Sequence, residues 1–532
     1  MEQAAAIIGI SGIIILLLNI ANQKTTHFGS DHYFHLNIIR LIQHNKHRFV
    51  KNYENFIGNN HIAYPQLFHW VLSFFKLPPA AGLQLLYKTS LFFADLIFFL
   101  VFFYSGFLNF SSKLPLLVVF LYAALLFIFT PFNFVRWNAH NAGFSPRSLG
   151  VLLGRVFIYL FLFHLYHSGW IWYAALVVIS YIIFISSQFA AQYVLFFSLL
   201  YGIIFLQPAI AAIPLLGFLL FYLFHGQLAI DYIKGQYQHK KIYAQHFAKR
   251  FILKYRPSIW RDFVYDFWVK LKKEKAAAFP YIQTNALLTL CWGFTMLPAV
   301  LYFFIHLMIQ APNQNAWLLL QQNPLLQVIV ISLCIFILTS FAKTRFLGEP
   351  ERYLEFATPT LVFLFMQCYS SEWVYNTIIY YVLASLFLIF ISKWYDKKST
   401  KAKENMLWHL DTPQENGQSI LSVLHSLQKD TALRIFSNNE EITRRLLIID
   451  KAEFLLPDIA AEKTGSFYYK DIFPDQYPQV NENLLLPMIK EFDINILVLD
   501  ISLLSKPYAA LLTGLSFKPV FTLNDFVLLQ KQ

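Results

Sequence analysis

Apolar residues recur in uninterrupted runs of about twenty through most of the first 392 positions. At about 1.5 Å of rise per residue, such a run crosses a hydrocarbon core of about 30 Å. In lipid it has to be helical, because no water is present to satisfy an open backbone. Runs near 4–20, 83–106, 114–132, 149–166, 170–187, 189–206, 208–225, 287–307, 324–341, 353–369 and 373–392 predict about eleven transmembrane helices. With 57% hydrophobic and 14% charged residues, the chain falls in the polytopic α-helical membrane class. Glu2 precedes the first run where a secretory signal carries Lys or Arg, and no small-x-small cleavage site follows, so this run is expected to be a retained span. Cys291, Cys334 and Cys368 lie in or beside apolar runs, which supports neither a disulfide framework nor a thiolate metal site. A net charge of +12 on so apolar a chain points to lipid headgroups or phosphorylated lipids, and no aromatic-basic module argues for nucleic acid.

The connections are lopsided: those after spans one, three, seven and nine are long or rich in functional residue types, and the others are mostly brief. One membrane face is therefore expected to carry the working surface. The loop over 226–280 is dense in cations, among them Lys240, Lys241, Lys249, Arg250, Lys254, Arg256, Arg261, Lys272 and Lys273. Positive-inside counting places it in the cytoplasm, yet that rule weakens for long loops, and a face handling anionic lipid phosphates needs cations whichever way it points. Composition changes after the last run. Residues 1–392 are expected to form the membrane domain, with a first polar loop over 21–82, and 393–532 a soluble C-terminal α/β domain. Its strand candidates are Leu433–Phe436, Leu446–Ile449, Ile494–Leu499, Val520–Phe521 and Phe526–Leu529. Neither a GxGxxG nor a Walker lysine motif is present in this tail, so nucleotide binding has no support there.

Candidate chemistry concentrates in the first polar loop. Asp31 opens the pattern Asp-His-Tyr-Phe-His-Leu-Asn-Ile-Ile-Arg, which predicts a helix with Ser30 as a cap and Asp31 and His35 one turn apart. Phe34, Ile38 and Leu41 form an apolar stripe expected to lie on the membrane or on neighbouring spans. A carboxylate just outside a span stays ionised, whereas at the bilayer centre it would cost about 2.5–3.5 kcal/mol. Further on, His61, Tyr64 and His69 surround Pro65, which can open a second helix. The histidines at 27, 32, 35, 44, 47, 61 and 69 do not match the spacing of a closed zinc site, and hydrogen-bonded scaffold is the more frequent role of interfacial imidazoles.

The first span, then Ser30-Asp-His-Tyr-Phe-His35, then Tyr64-Pro-Gln-Leu-Phe-His69, resembles the first extracytoplasmic loop of GT-C superfamily glycosyltransferases, which include oligosaccharyltransferases, protein mannosyltransferases and aminoarabinose transferases. Asn141-Ala-Gly-Phe-Ser-Pro-Arg147-Ser-Leu-Gly150 and Arg345-Phe-Leu-Gly-Glu-Pro-Glu351-Arg352-Tyr353-Leu-Glu-Phe-Ala-Thr-Pro359 agree with it. The resemblance implies a GT-C-like catalytic domain over 1–392 in the plasma (inner) membrane, with its working face extracytoplasmic. It implies an enzyme that takes a sugar from a polyprenyl-phosphate donor and passes it, with inversion, to a glycan, lipid or protein acceptor. The base role falls on Asp31. His32, His35, His61, Tyr64, His69, Gln192, Glu351 and Tyr353 are expected to line the substrates, and Arg147, Arg345 and Arg352 to grip phosphate oxygens through their planar forks. No cofactor is implied with certainty, although a divalent ion stays open as an assistant. No Trp-Trp-Asp triplet occurs in the tail, a departure from the oligosaccharyltransferase pattern that puts transfer to protein asparagine in doubt.

Within the membrane runs, Lys88, Asp95 and Arg155 are charged, and a buried Asp95–Arg155 pair tying two spans together is the first expectation for the last two. Gln188 and Gln192 suit either a donor groove or a bond between helices. Two other classes fit many spans and a basic mouth: a flippase for lipid-linked sugars and a non-catalytic scaffold of a cell-envelope complex. A transporter needs charges along a path through the bilayer, and paired halves are not evident here.

Overall fold

The computed structural model describes residues 2–22, 30–58, 64–76, 80–106, 114–134, 138–139, 144–247, 272, 296–310, 315–341, 343–348, 350–403, 419–428, 432–449, 451–456, 463–473, 479–523 and 525–532; at 2–4, 30–31, 80–81, 246–247, 310, 345, 392 and 395–403 it describes the backbone alone. The side chains of Asp31 and Arg345, all of His61, and most of the basic loop from Lys249 to Pro280 except Lys272 therefore lie outside the described residues. In chain order the helices are α1 (Glu2–Asn22), α2 (Ser30–His44), α3 (Leu67–Ser73), α4 (Ala80–Gly106), α5 (Leu116–Ile128), α6 (Arg147–His167), α7 (Trp170–Ser186), α8 (Gln188–Ile204), α9 (Pro208–His225), α10 (Gln227–Ile242), α11 (Met296–Gln310), α12 (Ala316–Gln322), α13 (Pro324–Thr339), α14 (Thr358–Cys368), α15 (Ser371–Lys403), α16 (Ile420–Leu427) and α17 (Glu440–Leu446). The chain divides into two compact units, one from 1–25, 77–229 and 256–395, the other from 26–76, 230–255 and 396–532.

The first unit is helical, and a helix meets each of the eleven apolar runs. Among the described residues, six helices are long and apolar enough to cross a membrane, or seven if α12 and α13, bent by 109°, count as one broken span. The chain is thus an integral membrane protein. The expected figure of about eleven exceeds this because α7 and α8 are shorter apolar helices, α14 is shorter still, and the run 287–307 is described only from Met296. Close approach requires small residues where the helices cross: a Cβ on Gly150 would collide with Ser187, and one on Gly154 with Phe356. Aromatic rings fill the interior, with Phe99 stacked on Phe127 at 4.6 Å and Phe103 on Phe363 at 4.6 Å. Leu215, Leu219 and Leu223 of α9 and Leu383, Leu386 and Phe390 of α15 stay exposed, as surfaces bathed by acyl chains do.

The second unit is built on a six-stranded sheet: β1 (Phe56–Ile57), β2 (Leu433–Ser437), β3 (Ala452–Leu455), β6 (Ile496–Asp500), β7 (Phe517–Leu523) and β8 (Phe526–Lys531), in the order β1-β3-β2-β6-β8-β7. The small strands β4 (Lys463–Thr464) and β5 (Phe467–Tyr468) pair separately. The first four strands of the large sheet are parallel, and β8 and β7 complete it antiparallel. Alternation along the strands splits the core. Leu433, Ile435, Phe454, Val498 and Leu528 face one side with α2, α16 and α17, whereas Phe436, Leu455, Leu497, Leu499 and Leu529 face the other with the helix Glu482–Glu491.

Two sequence expectations need correction in this unit. The run Leu446–Ile449 is not a strand but the end of α17 and the turn after it; its side chains fill the core from a helix terminus, and the neighbouring strand is Ala452–Leu455. The stripe Phe34, Ile38 and Leu41 packs on this sheet core rather than on the membrane or on spans, because the sheet offers it an apolar face that includes Ile435, Phe454 and Leu528. The first polar loop also contributes a strand, β1, in parallel register with β3 (Phe56 opposite Phe454).

Candidate functional site

In the second unit, the backbone of position 31 belongs to the first turn of α2, one turn ahead of His35. His35 Nδ1 and His69 Nε2 lie 3.0 Å apart, both imidazoles buried, so one ring donates to the other. The Tyr64 ring stands 5.7 Å from that of His35 and 6.1 Å from that of Phe34. The structure thus joins three of the predicted residues, His35, Tyr64 and His69, into one aromatic cluster. The chain around it is tied down: Val50 N–H donates to Gln66 Oε1 at 2.9 Å, Gln66 Nε2 returns a bond to Val50 O at 2.6 Å, and Trp70 Nε1 donates to His47 O at 2.9 Å.

Burial sets the charge of these rings. His32 is 1% exposed, and its burial, reinforced by neighbouring His35, lowers its pKa to about 4. His69 is fully buried; desolvation first and His35 second hold its pKa well below the usual imidazole range, while a backbone hydrogen bond at Pro65 acts the other way. At neutral pH both are neutral, and they frame the segment bearing position 31 without adding positive charge to it. Among the described residues no group of three or more His, Cys, Asp or Glu side chains is arranged to hold a metal ion.

In the first unit, charged side chains converge between α4, α6 and the 3₁₀ turns Pro350–Ala357. Arg147 is the first residue of α6, whose N-cap, Pro146, supplies no side-chain bond. Its Nη2 lies 2.7 Å from Oε1 of Glu355, with 14% of the arginine side chain exposed and none of the glutamate. Arg155, two turns deeper, donates from Nε to the Glu355 carbonyl at 2.9 Å and is ion-paired through Nη1 with Asp95 on α4. The Asp95 and Arg155 side chains are both completely buried, and the guanidinium lies over the Phe127 ring at 5.4 Å. Arg352 acts electrostatically on the same glutamate. Glu351 is buried at 3% exposure, and fully buried Tyr353 donates its hydroxyl to Leu347 O at 3.0 Å. Helix α8 braces the turn, with Tyr193 stacked on Phe356 at 4.0 Å and Phe189 4.7 Å from Tyr353; Gln192, next to Tyr193, is half-buried.

The predicted residues Arg147, Glu351, Arg352 and Tyr353 therefore belong to one packed region, joined by the expected Asp95–Arg155 pair. Glu355 was not singled out from the sequence, although it holds the region together. Its signal was available: an acid four residues after Glu351, in a segment about to turn helical and apolar, needs a cationic partner wherever it is buried.

No protein-family model matches the chain, and no curated protein matches it. Solved structures do. One is the oligosaccharyltransferase AglB from Archaeoglobus fulgidus in complex with an inhibitory peptide and a dolichol-phosphate, with a TM-score of 0.51 and 11% identity over 99% of this chain and 74% of that one. Another is the Archaeoglobus fulgidus oligosaccharyltransferase in the apo form, with a TM-score of 0.50 and 13% identity over 95% of this chain and 70% of that one. At these identities the likeness is one of fold.

Proposed function

Because the chain has the fold of GT-C superfamily glycosyltransferases, we propose that it transfers a sugar from a polyprenyl-phosphate donor to a glycan, lipid or protein acceptor at the extracytoplasmic face of the plasma (inner) membrane. The observation that carries this proposal is the position of Arg147. A cation at the N-terminus of a 21-residue helix sits at the positive end of the helix dipole, a mismatch that an anion relieves. The first-turn amides of α6, which receive no side-chain bond from the N-cap, add donors for the same anion. Glu355 relieves part of the mismatch from within the protein, and a lipid phosphate arriving on the exposed side of Arg147 supplies the rest. Arg352 and Arg345 are assigned to the same phosphate.

A lipid phosphate is a good leaving group and needs cations more than a proton donor. The attacking hydroxyl or amide does need a proton acceptor, and this role is assigned to Asp31, with displacement inverting the anomeric carbon. The buried neutral histidines of α2 and α3 leave an ionised carboxylate as the favoured base of that loop at neutral pH.

The test uses the full chain in nanodiscs with a polyprenyl-phosphate-linked sugar and a mixture of glycan, lipid and peptide acceptors. Asp31→Asn should lower kcat by about 10²–10⁴ while leaving donor affinity near wild type, as loss of a general base does. Full turnover in Asp31→Asn excludes the base assignment, and a wild-type protein that binds no polyprenyl phosphate excludes the donor class.

A further inference from the structure

Glu355 has no part in the reaction as proposed, yet three guanidinium groups are arranged around it. Its carboxylate is wholly buried, Oε1 accepts from Arg147, and a backbone hydrogen bond at Ala139 also reaches the carboxylate. Arg155 is locked by Asp95 and has no exposed surface, whereas Arg147 keeps 14% of its side chain exposed. Arg147 is thus the cation of this pair with a route to an incoming ligand, and Glu355 stands behind it.

We propose that Glu355 is a positioning residue for the donor phosphate, an anionic post that holds the Arg147 guanidinium at the start of α6. The proposal rests on Arg147 as a phosphate ligand. Two effects compete. A fixed carboxylate near a bound phosphate repels it, so neutralising Glu355 would tighten binding if repulsion governed. Neutralising it also removes the negative charge shared by Arg147, Arg155 and Arg352, while Arg147 remains at the positive end of the α6 dipole. Arg147 has a long flexible stem and partial exposure, so its guanidinium then moves to water, and the phosphate loses a two-point partner. Positioning wins because the carboxylate has no exposed surface on the ligand side, whereas the ion pair is direct at 2.7 Å.

The experiment measures undecaprenyl phosphate binding to the full chain in nanodiscs, reading Kd and stoichiometry by calorimetry. Arg147→Ala should raise Kd about tenfold, the loss expected for one charge-assisted contact. An unchanged Kd in that variant removes the phosphate role of Arg147, and this proposal with it. Once that loss is seen, Glu355→Gln should raise Kd by a similar factor at unchanged stoichiometry, and wild-type or tighter binding overturns the positioning role alone. The double variant Arg147→Ala with Glu355→Gln removes both partners, so no unpaired buried charge threatens its folding. It should bind like Arg147→Ala, since Glu355 acts only through the arginine. Tighter binding by the double variant identifies direct repulsion and overturns the proposal.

Discussion

Replacing Asp95 by Asn tests whether the deepest ion pair is a structural tie. Both of its side chains have no exposed surface, and the guanidinium is otherwise held by the Glu355 carbonyl at 2.9 Å and the Phe127 ring. Two unit charges about 4 Å apart at an effective dielectric of about 20 attract by about 4 kcal/mol. Removing one partner of such a pair costs about 3–5 kcal/mol, mainly because the other charge is left buried. Replacing both partners by apolar side chains of similar volume removes that burden, so Asp95→Leu with Arg155→Met should cost far less than Asp95→Asn alone, despite losing the bond to Glu355 O. The assay is equilibrium unfolding of detergent-solubilised protein, followed by tryptophan fluorescence for the two single variants and the pair. A double variant as unstable as the sum of the single ones would refute the structural role, and with it the view that the arginine is stabilised chiefly by its aspartate.

Two further outcomes follow from the second unit. The folded His32 pKa of about 4, against about 6.5 when unfolded, means that acid protonates the unfolded ring first. Stability is therefore full above about pH 6.5 and falls by about 3 kcal/mol as pH drops toward 4; His69 shifts in the same direction and adds to the slope. Thermal unfolding at pH 7.5 and pH 5 should show about 2 kcal/mol of this loss, and His32→Gln should flatten it; an equal slope in the variant removes His32 as the cause. Ile38 is fully buried in the sheet core, so Ile38→Ala should cost about 2–5 kcal/mol and raise hydrogen exchange in β2 and β3. Unchanged exchange across 433–455 would show that α2 is not part of that folding unit.

The membrane half was legible because lipid imposes a strong rule: long apolar runs must be helices, and among the described residues a helix meets each predicted run. Span number was less legible, since α7 and α8 are apolar but short, and length separates a crossing helix from a buried one only coarsely. The Asp95–Arg155 tie could be anticipated because ionisable residues in apolar runs must find each other. Glu355 was missed because its partner Arg147 lies more than two hundred positions away, and pairing over that separation is set by tertiary packing alone. The parallel β1–β3 pairing was hidden for the same reason: two residues, Phe56 and Ile57, carry no periodicity that marks a strand.

That short strand has a consequence for how the first polar loop works. Loops between spans usually order themselves on the membrane domain, but α2, α3 and β1 share a hydrophobic core or a sheet with residues 420–531. Isolated, α2 would be a marginal helix at fifteen residues, since helices of that length are weakly stable in water. Its apolar stripe against Ile435, Phe454 and Leu528 supplies the missing stability. The segment bearing Asp31 therefore takes its conformation from the C-terminal sheet, and the tail is a folding partner of the proposed catalytic loop rather than an appendage to it. Substitutions in the sheet core, far in sequence from position 31, should lower activity by loosening α2, and they should do so without changing the Arg147–Glu355 pair of the other unit.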